Sequence, residues 1–260
     1  MRVAIFSDVH GNPIALDAVL TEIEAAGEVD AHWFVGDAAA MGYDPAGAVE
    51  RIRTLPGLLA VRGNTDRYTV DDAWGIDQVM DKAGTSSREE VRDFLGMIRS
   101  FAWTRGALQV SDGYDWIAGL PVEERLTLPD GTRVLLVHAA PGTDDGPGFK
   151  PGMSEDELRA SLAGAEADLV FVGHTHQPMD ETVDGVRLIN LGSASNPGTA
   201  DTRAMWTLLT VADADDDGYR IERRFAAYDL AAVITAIEAA HHPAEAFVRS
   251  FFDGSKLAAR

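Results

Sequence analysis

Two imidazoles close the segment LVFVGHTHQPM: His174 and His176, one residue apart, directly after an apolar run and a glycine. An apolar run followed by a ligand-type side chain recurs through the chain. RVAIFSDVHG carries Asp8 and His10, AHWFVGD carries Asp37, LLAVRGN carries Asn64, and RVLLVHAAP carries His138. In an extended or turning segment, residues at i and i+2 can point to the same side. Asp8 with His10, and His174 with His176, can therefore grip one ion or divide between two. A mixed set of carboxylate, imidazole and amide donors suits Mn, Fe, Zn, Co or Ni rather than calcium. Seven donors suffice for two ions if one carboxylate bridges. Four of the seven histidines lie in these fragments; His32, His241 and His242 do not, and packing or surface roles are expected of them.

Such donors converge only if the apolar runs are strands of one α/β core, because open sheets of that class place their chemistry at strand ends. RVAIFS, AHWFVGD and LLAVRGN read as strands, separated by helical patterns from Pro13 to about Gly27 and from about Pro45 to Thr54, which is the rhythm of parallel βαβ units. Glycines at 11, 36, 63 and 173 let the backbone turn beside a crowded centre. Residues 65–121 break the rhythm and read as a helical insertion, in which SSREEVRDFLGMIRSF offers Ser87 and Glu90 as a capping box. ERLTLPDGTRVLLVHAAP reads as a hairpin turning at Asp130-Gly131. A Gly-, Pro- and Asp-rich loop over 141–152 and a helix from Ser154 to about Leu162 precede ADLVFVG. GVRLINLG, AMWTLLTV and GYRIERRFAAY are the remaining strands, and DLAAVITAIEAA is a late helix, with a further one expected within 241–260. The acidic run DADDDG lacks the ligand spacing and closing Glu of a calcium loop and reads as a solvated turn. No linker divides the chain, so one domain over 1–260 is expected.

Composition narrows the function. The chain has 260 residues, 46% hydrophobic and 25% charged, with a net charge of −20. That balance argues against tracking a nucleic-acid duplex, which needs clustered Lys and Arg. No cysteine is present, which excludes disulfides, thiolate ligands and a Cys nucleophile. The opening segment meets Asp8 too early for a signal-peptide core, and no apolar run is long enough to span a bilayer. A cytoplasmic location, with no membrane partner, is the expectation.

Taken in order, Asp8-x-His10, Gly36-Asp37, Gly63-Asn64, His138 and Gly173-His174-Thr175-His176 resemble the calcineurin-like metallophosphoesterase superfamily, over the core from Arg2 to about Ser195. GNTD and INLGSASNP look similar to its small bacterial and archaeal phosphodiesterase branch, with Leu191 where a Pro usually stands. The resemblance implies a four-layer αββα sandwich of two mixed sheets flanked by helices. It implies that Asp8, His10, Asp37 and His176 hold one metal and that Asp37, Asn64, His138 and His174 hold the other, Asp37 bridging. Manganese is favoured among the divalent ions. The implied reaction is in-line hydrolysis by an activated hydroxide at a dinuclear centre, acting on a phosphodiester or nucleotide, including a dinucleoside polyphosphate. A phosphomonoesterase or protein phosphatase is the alternative enzyme, and a non-catalytic scaffold the alternative class.

Many relatives have His directly after the Asn, assigned as an acid near the leaving group; here the sequence continues Thr65-Asp66. Asp37, Asn64 and Asp66 are the catalytic candidates. Asn64, Lys150, Trp74 and Trp103 are the candidates for touching substrate, the tryptophans by base stacking. Both the insertion and the loop 141–152 are expected to line the approach, the alternative for the insertion being a packed helical layer without substrate contact.

Overall fold

Alternation along the first strand explains why the protein has two cores on one sheet. In β1 (Arg2–Phe6), Val3 and Ile5 face one way and Ala4 and Phe6 the other, and all four are fully buried. Val3 and Ile5 meet a second sheet; Ala4 and Phe6 meet helices. Period-two alternation with both faces apolar is what a doubly covered strand requires.

The computed structural model describes residues 1–71, 76–211 and 218–252. Its first sheet runs β10 (Tyr219–Ala226), β9 (Ala204–Val211), β1, β2 (Ala31–Val35), β3 (Leu58–Val61). The β1–β2–β3 pairs are parallel, and β9 and β10 add antiparallel strands. The second sheet runs β4 (Glu123–Thr127), β5 (Arg133–Val137), β6 (Leu169–Val172), β8 (Val186–Asn190), β7 (Met179–Val183), parallel through β5–β6–β8 and antiparallel at both edges. Between the sheets, Val3, Ile5, Trp33 and Val35 pack against Val134, Leu136, Phe171 and Ile189. Helices α1 (Pro13–Ala25) and α2 (Pro45–Arg53) cover the outer face of the first sheet, and α7 (Glu155–Ser161) lies against the second. These are the four layers that the sequence predicts.

Both α1 and α2 start by the same device. Asn12 and Asp44 accept hydrogen bonds from the amides of Ala15 (3.2 Å) and Gly47 (2.9 Å), and a proline occupies the first helical position of each. The side chain satisfies one orphan amide, and proline has none to lose. The insertion between β3 and β4 contains α3 (Asn64–Val70), α4 (Ile76–Thr85), α5 (Arg88–Gln109) and α6 (Gly113–Ala118). The predicted Ser87–Glu90 capping box starts α5. Leu108 and Ile117 anchor the insertion in the outer core of the first sheet. After β10, α8 (Leu230–Ala239) and α9 (Glu245–Arg249) pack on Tyr43.

β7 is an element that the sequence reading omits. Its buried residues are only the two ends, Met179 and Val183, around an exposed Asp-Glu-Thr centre, so it shows no apolar run. It is an edge strand held by its hairpin with β8. Residues 212–217, which include most of the acidic run, and residues 253–260 of the expected last helix lie outside the described residues.

Candidate metal centre

Every proposed donor follows the carboxyl end of a parallel strand: Asp8 and His10 after β1, Asp37 after β2, Asn64 after β3, His138 after β5, and His174 and His176 after β6. The two sheets bring these ends together. The amides of Asp8 and His10 donate to the Gly36 and Asp37 carbonyls (2.9 and 3.0 Å), and the Gly173 amide donates to His138 (3.0 Å). Nine non-glycine residues have positive φ among the described residues, and five are Asp8, His10, Asp37, His174 and His176. Each such residue costs on the order of 1–3 kcal/mol, and that kind of strain gathers at functional sites. Gly36 shows why no side chain fits between the loops: a Cβ there would lie 2.6 Å from the Gly63 nitrogen and 2.7 Å from His138 Nδ1.

Main-chain carbonyls orient the histidines. Nδ1 donates to the carbonyl of Ala40 in His10 (2.9 Å), of Val35 in His138 (2.7 Å) and of Asn196 in His176 (3.0 Å). A carbonyl only accepts, so Nδ1 carries the proton and Nε2 of the neutral ring is a bare lone pair. Those lone pairs converge. His10 Nε2 lies 3.0 Å from His176 Nε2, His176 Nε2 lies 3.1 Å from Asp8 Oδ1, and His138 Nε2 lies 3.3 Å from Asp37 Oδ2. Asp8 Oδ1 and His138 Nε2 are buried without a hydrogen bond. Acceptors facing acceptors away from water are costly unless something positive lies among them. The donor chemistry therefore fits divalent cations, and two groups have ligand spacing: Asp8–His10–His176 and Asp8–Asp37–His138.

The electrostatics of the protein without ions follow from the same crowding. Burial alone would raise both aspartates, but His176 and His138 hold Asp8, and His138 and His10 hold Asp37, below the usual carboxylate range. Burial would lower His138, and the Asp37 carboxylate overrides it and pushes the imidazole up to about 10, so without ions Nε2 of His138 carries a proton toward Asp37, in the place a cation would take. His10 is lowered, burial outweighing its aspartate neighbours.

Both central aspartates have the same division of labour. Asp37 gives Oδ1 to the Thr65 amide (2.9 Å) and turns Oδ2 toward His138 and His10. Asp8 gives Oδ2 to the Ser7 hydroxyl (2.6 Å) and the His174 amide (3.2 Å) and turns Oδ1 toward His176, His10 and His138. Asp8 is common to both donor groups, and Asp37 Oδ2 lies 3.7 Å from His10 as well as beside His138. Asn64 and His174 form a separate, half-buried pair, Asn64 Oδ1 to His174 Nδ1 at 3.0 Å.

The other candidates lie elsewhere. Asp66 is fully buried. Its Oδ2 accepts the amides of Asp37 (2.8 Å) and Gly63 (2.9 Å), and its Oδ1 accepts that of Ala38 (2.9 Å), so it ties the β2 end to the β3 end. Burial, then the Asp37 charge, pushes it up to about 7. Thr65 is buried, its hydroxyl unpaired. Lys150 is exposed and feels Glu157. Trp103 stands edge-on to His242, ring centroids 4.5 Å apart. Trp74 lies outside the described residues. Sequence reasoning missed Ser193, whose hydroxyl donates to the Asp8 carbonyl (2.8 Å) and accepts the Asn196 amide (2.9 Å), linking two ligand loops. It also missed Arg67, Tyr68 and Asp145. None of these stands in a ligand fragment, which was the signal in use.

A family model for the calcineurin-like phosphoesterase superfamily domain matches residues 1–214, and the chain belongs to that superfamily. It is similar to a metallophosphoesterase from Sphaerobacter thermophilus, with a TM-score of 0.70 and 25% identity, covering 100% of this chain and 98% of the other. A hypothetical protein from Pyrococcus horikoshii shares the fold, with a TM-score of 0.77 and 20% identity over 97% and 98% of the two chains. An uncharacterized protein of Methanocaldococcus jannaschii is 26% identical over 248 residues, 88% of each chain.

Proposed function

We propose that this chain is a dinuclear metal-dependent phosphoesterase, built on one domain with a helical insertion, that hydrolyses a phosphodiester or nucleotide, dinucleoside polyphosphates included, in the cytoplasm. The observation that carries the reading is the convergence of three carbonyl-oriented Nε2 lone pairs on two buried carboxylates. Asp8, His10, Asp37 and His176 would hold one ion and Asp37, Asn64, His138 and His174 the other, manganese being the first metal to test. Bound divalent ions supply Lewis acidity, which lowers the pKa of water and offsets phosphate charge.

The residues of the chain hold and exclude. Asp66 fixes the amides that shape the Asp37 turn, and is a positioning residue. Carbonyls of Ala40, Val35 and Asn196 keep three imidazoles from rotating, as outer partners of ligating histidines do. In the reaction the oxygen of water bonds to phosphorus, the opposite P–O bond breaks, and the leaving oxygen takes a proton. A positioned acid would contribute about 10²–10⁴-fold to that last event. Position 65 does not supply one: Thr65 spends its amide on Asp37 and its side chain is buried. Good leaving groups are therefore favoured, such as aryl oxygens or the phosphate and nucleotide groups released from polyphosphates.

The test is a substrate panel on metal-reconstituted protein, with rates across aryl phosphodiesters of graded leaving-group pKa and the matching monoesters. A steep dependence, with diesters faster than monoesters, is expected. Faster monoesters would make it a phosphomonoesterase, and a flat dependence with chemistry rate-limiting would mean another acid acts. No bound metal and no turnover would leave a scaffold.

A further inference from the structure

Asn64 and His174 differ from the other donors. No strand-end carbonyl orients them; both lean on the loop 141–152, which contributes no donor itself. Both ring nitrogens of His174 face acceptors, Nε2 the Gly146 carbonyl (2.8 Å) and Nδ1 Asn64 Oδ1 (3.0 Å); with the proton on Nε2, the shorter contact, Nδ1 is the lone pair aimed at Asn64. Gly146 is fixed in turn by its own amide, which donates to Asp145 Oδ1 (2.7 Å). The other oxygen of Asp145 accepts Arg67 Nη2 (2.9 Å) and the Tyr68 hydroxyl. Having given its proton to Asp145, the Tyr68 oxygen can only accept, and the Asn64 side chain one helical turn back hydrogen-bonds to it as donor. The Asn64 amide group must then point at Tyr68, which turns Oδ1 toward His174, the orientation a cation needs. Neighbouring Asp144, almost fully buried, clamps the same loop to Arg62 (2.7 Å) and Arg67 (2.9 Å).

We infer that Asp145 is a positioning residue for two donors at once: through Gly146 it sets the tautomer of His174, and through Tyr68 it sets the amide orientation of Asn64. Arg67 and the Asp144 clamp hold the carboxylate where it can do both. The second half of this inference rests on the metal-centre reading; the first does not.

The test uses the full chain and two variants, Asp145→Asn and Tyr68→Phe, each checked for a wild-type far-UV CD spectrum and melting curve. The imidazole nitrogens of His174 are read by long-range ¹⁵N NMR in the metal-stripped protein, assigned against His174→Gln, and manganese(II) is titrated calorimetrically. In the wild type, His174 is the Nε2–H tautomer. Asp145→Asn is expected to give a tautomer mixture and to weaken one of two manganese events by about 10–100-fold, the usual cost of an outer-shell change, leaving the other within about threefold. Tyr68→Phe is expected to weaken the same event through Asn64 while His174 keeps its tautomer. An Nδ1–H tautomer in the wild type or an unchanged tautomer in Asp145→Asn overturns the inference, as does equal weakening of both events. If the wild type binds no manganese, the metal reading fails separately and the tautomer alone decides the role of Asp145.

Discussion

In the ligand cluster, Asp8, His10, Asp37, His138 and His176 are at most 6% exposed, and four of them have left-handed backbone. In the helical insertion, α4 buries no described side chain fully, and α5 does so only from Ser100 onward. The cluster is over-determined: each donor side chain meets another donor and each loop is tied to a second one. The insertion is anchored at one end and solvated along the other. The difference teaches where this protein tolerates change. Strain persists only where surrounding contacts force it, and a helix with a mostly solvated face is governed by propensity and caps.

The largest effect expected from breaking the cluster is loss of the shared carboxylates. Asp8→Asn and Asp37→Asn should each lower turnover on an aryl phosphodiester by on the order of 10²–10³-fold, the scale of losing one charge-stabilising group, and by more than Asn64→Ala. Metal content separates the two aspartates. Loss of both ions in Asp37→Asn and of one in Asp8→Asn makes Asp37 the bridge, and the reverse pattern makes it Asp8, the residue common to both donor groups.

Two glycines sharpen the contrast in stability. A Cβ at Gly63 would run into Asp37 Oδ1, whereas one at Gly106 in α5 meets nothing within 4 Å. Gly63→Ala should destabilise by roughly 1–3 kcal/mol, as overpacking does, and lower metal affinity. Gly106→Ala should stabilise by roughly 0.5–1 kcal/mol, the helix-propensity gain. Urea unfolding of both variants checks the signs. A neutral Gly63→Ala would show that the β2–β3 junction yields.

A similarly small effect lies where the insertion meets the last helices. His242 is buried beside Trp103, accepts the Ala244 amide on Nδ1 (3.0 Å), and is pushed down to about 4 by burial. A depressed folded pKa stabilises fully above the unfolded value of about 6.5, and the contribution is lost as pH falls toward about 4. Over that window the melting temperature of the native chain should fall about 2–4 °C further than that of His242→Gln, corresponding to about 1 kcal/mol at this size. Parallel curves would show that His242 is already protonated in the fold.

How far the sequence reached follows the same division. The cluster was legible because imidazoles, carboxylates and an amide stand just after apolar runs. The sheets were legible where both faces are apolar, as in RVAIF and RVLLV, and β7 was not, since its solvated centre carries Asp, Glu and Thr. The orientation of the imidazoles was beyond reading, because the groups that hold them are the carbonyls of Ala40, Val35 and Asn196, and a carbonyl leaves no trace in residue identity. Asp66 stood open between a catalytic and a structural role, because residue type does not show that its oxygens accept three amides. Trp103 stood between base stacking and core packing, and its ring lies against His242.

The left-handed backbone at Asp8, His10, Asp37, His174 and His176 also gives the protein a direction of drift. Glycine relaxes such a position, and asparagine relieves it in part. Any lineage released from selection for ion binding therefore gains stability by losing these side chains one at a time. Each loss runs downhill in free energy, and each regain runs uphill, so the erosion acts as a ratchet. A full set of strained donors is what continued selection for ion binding leaves behind.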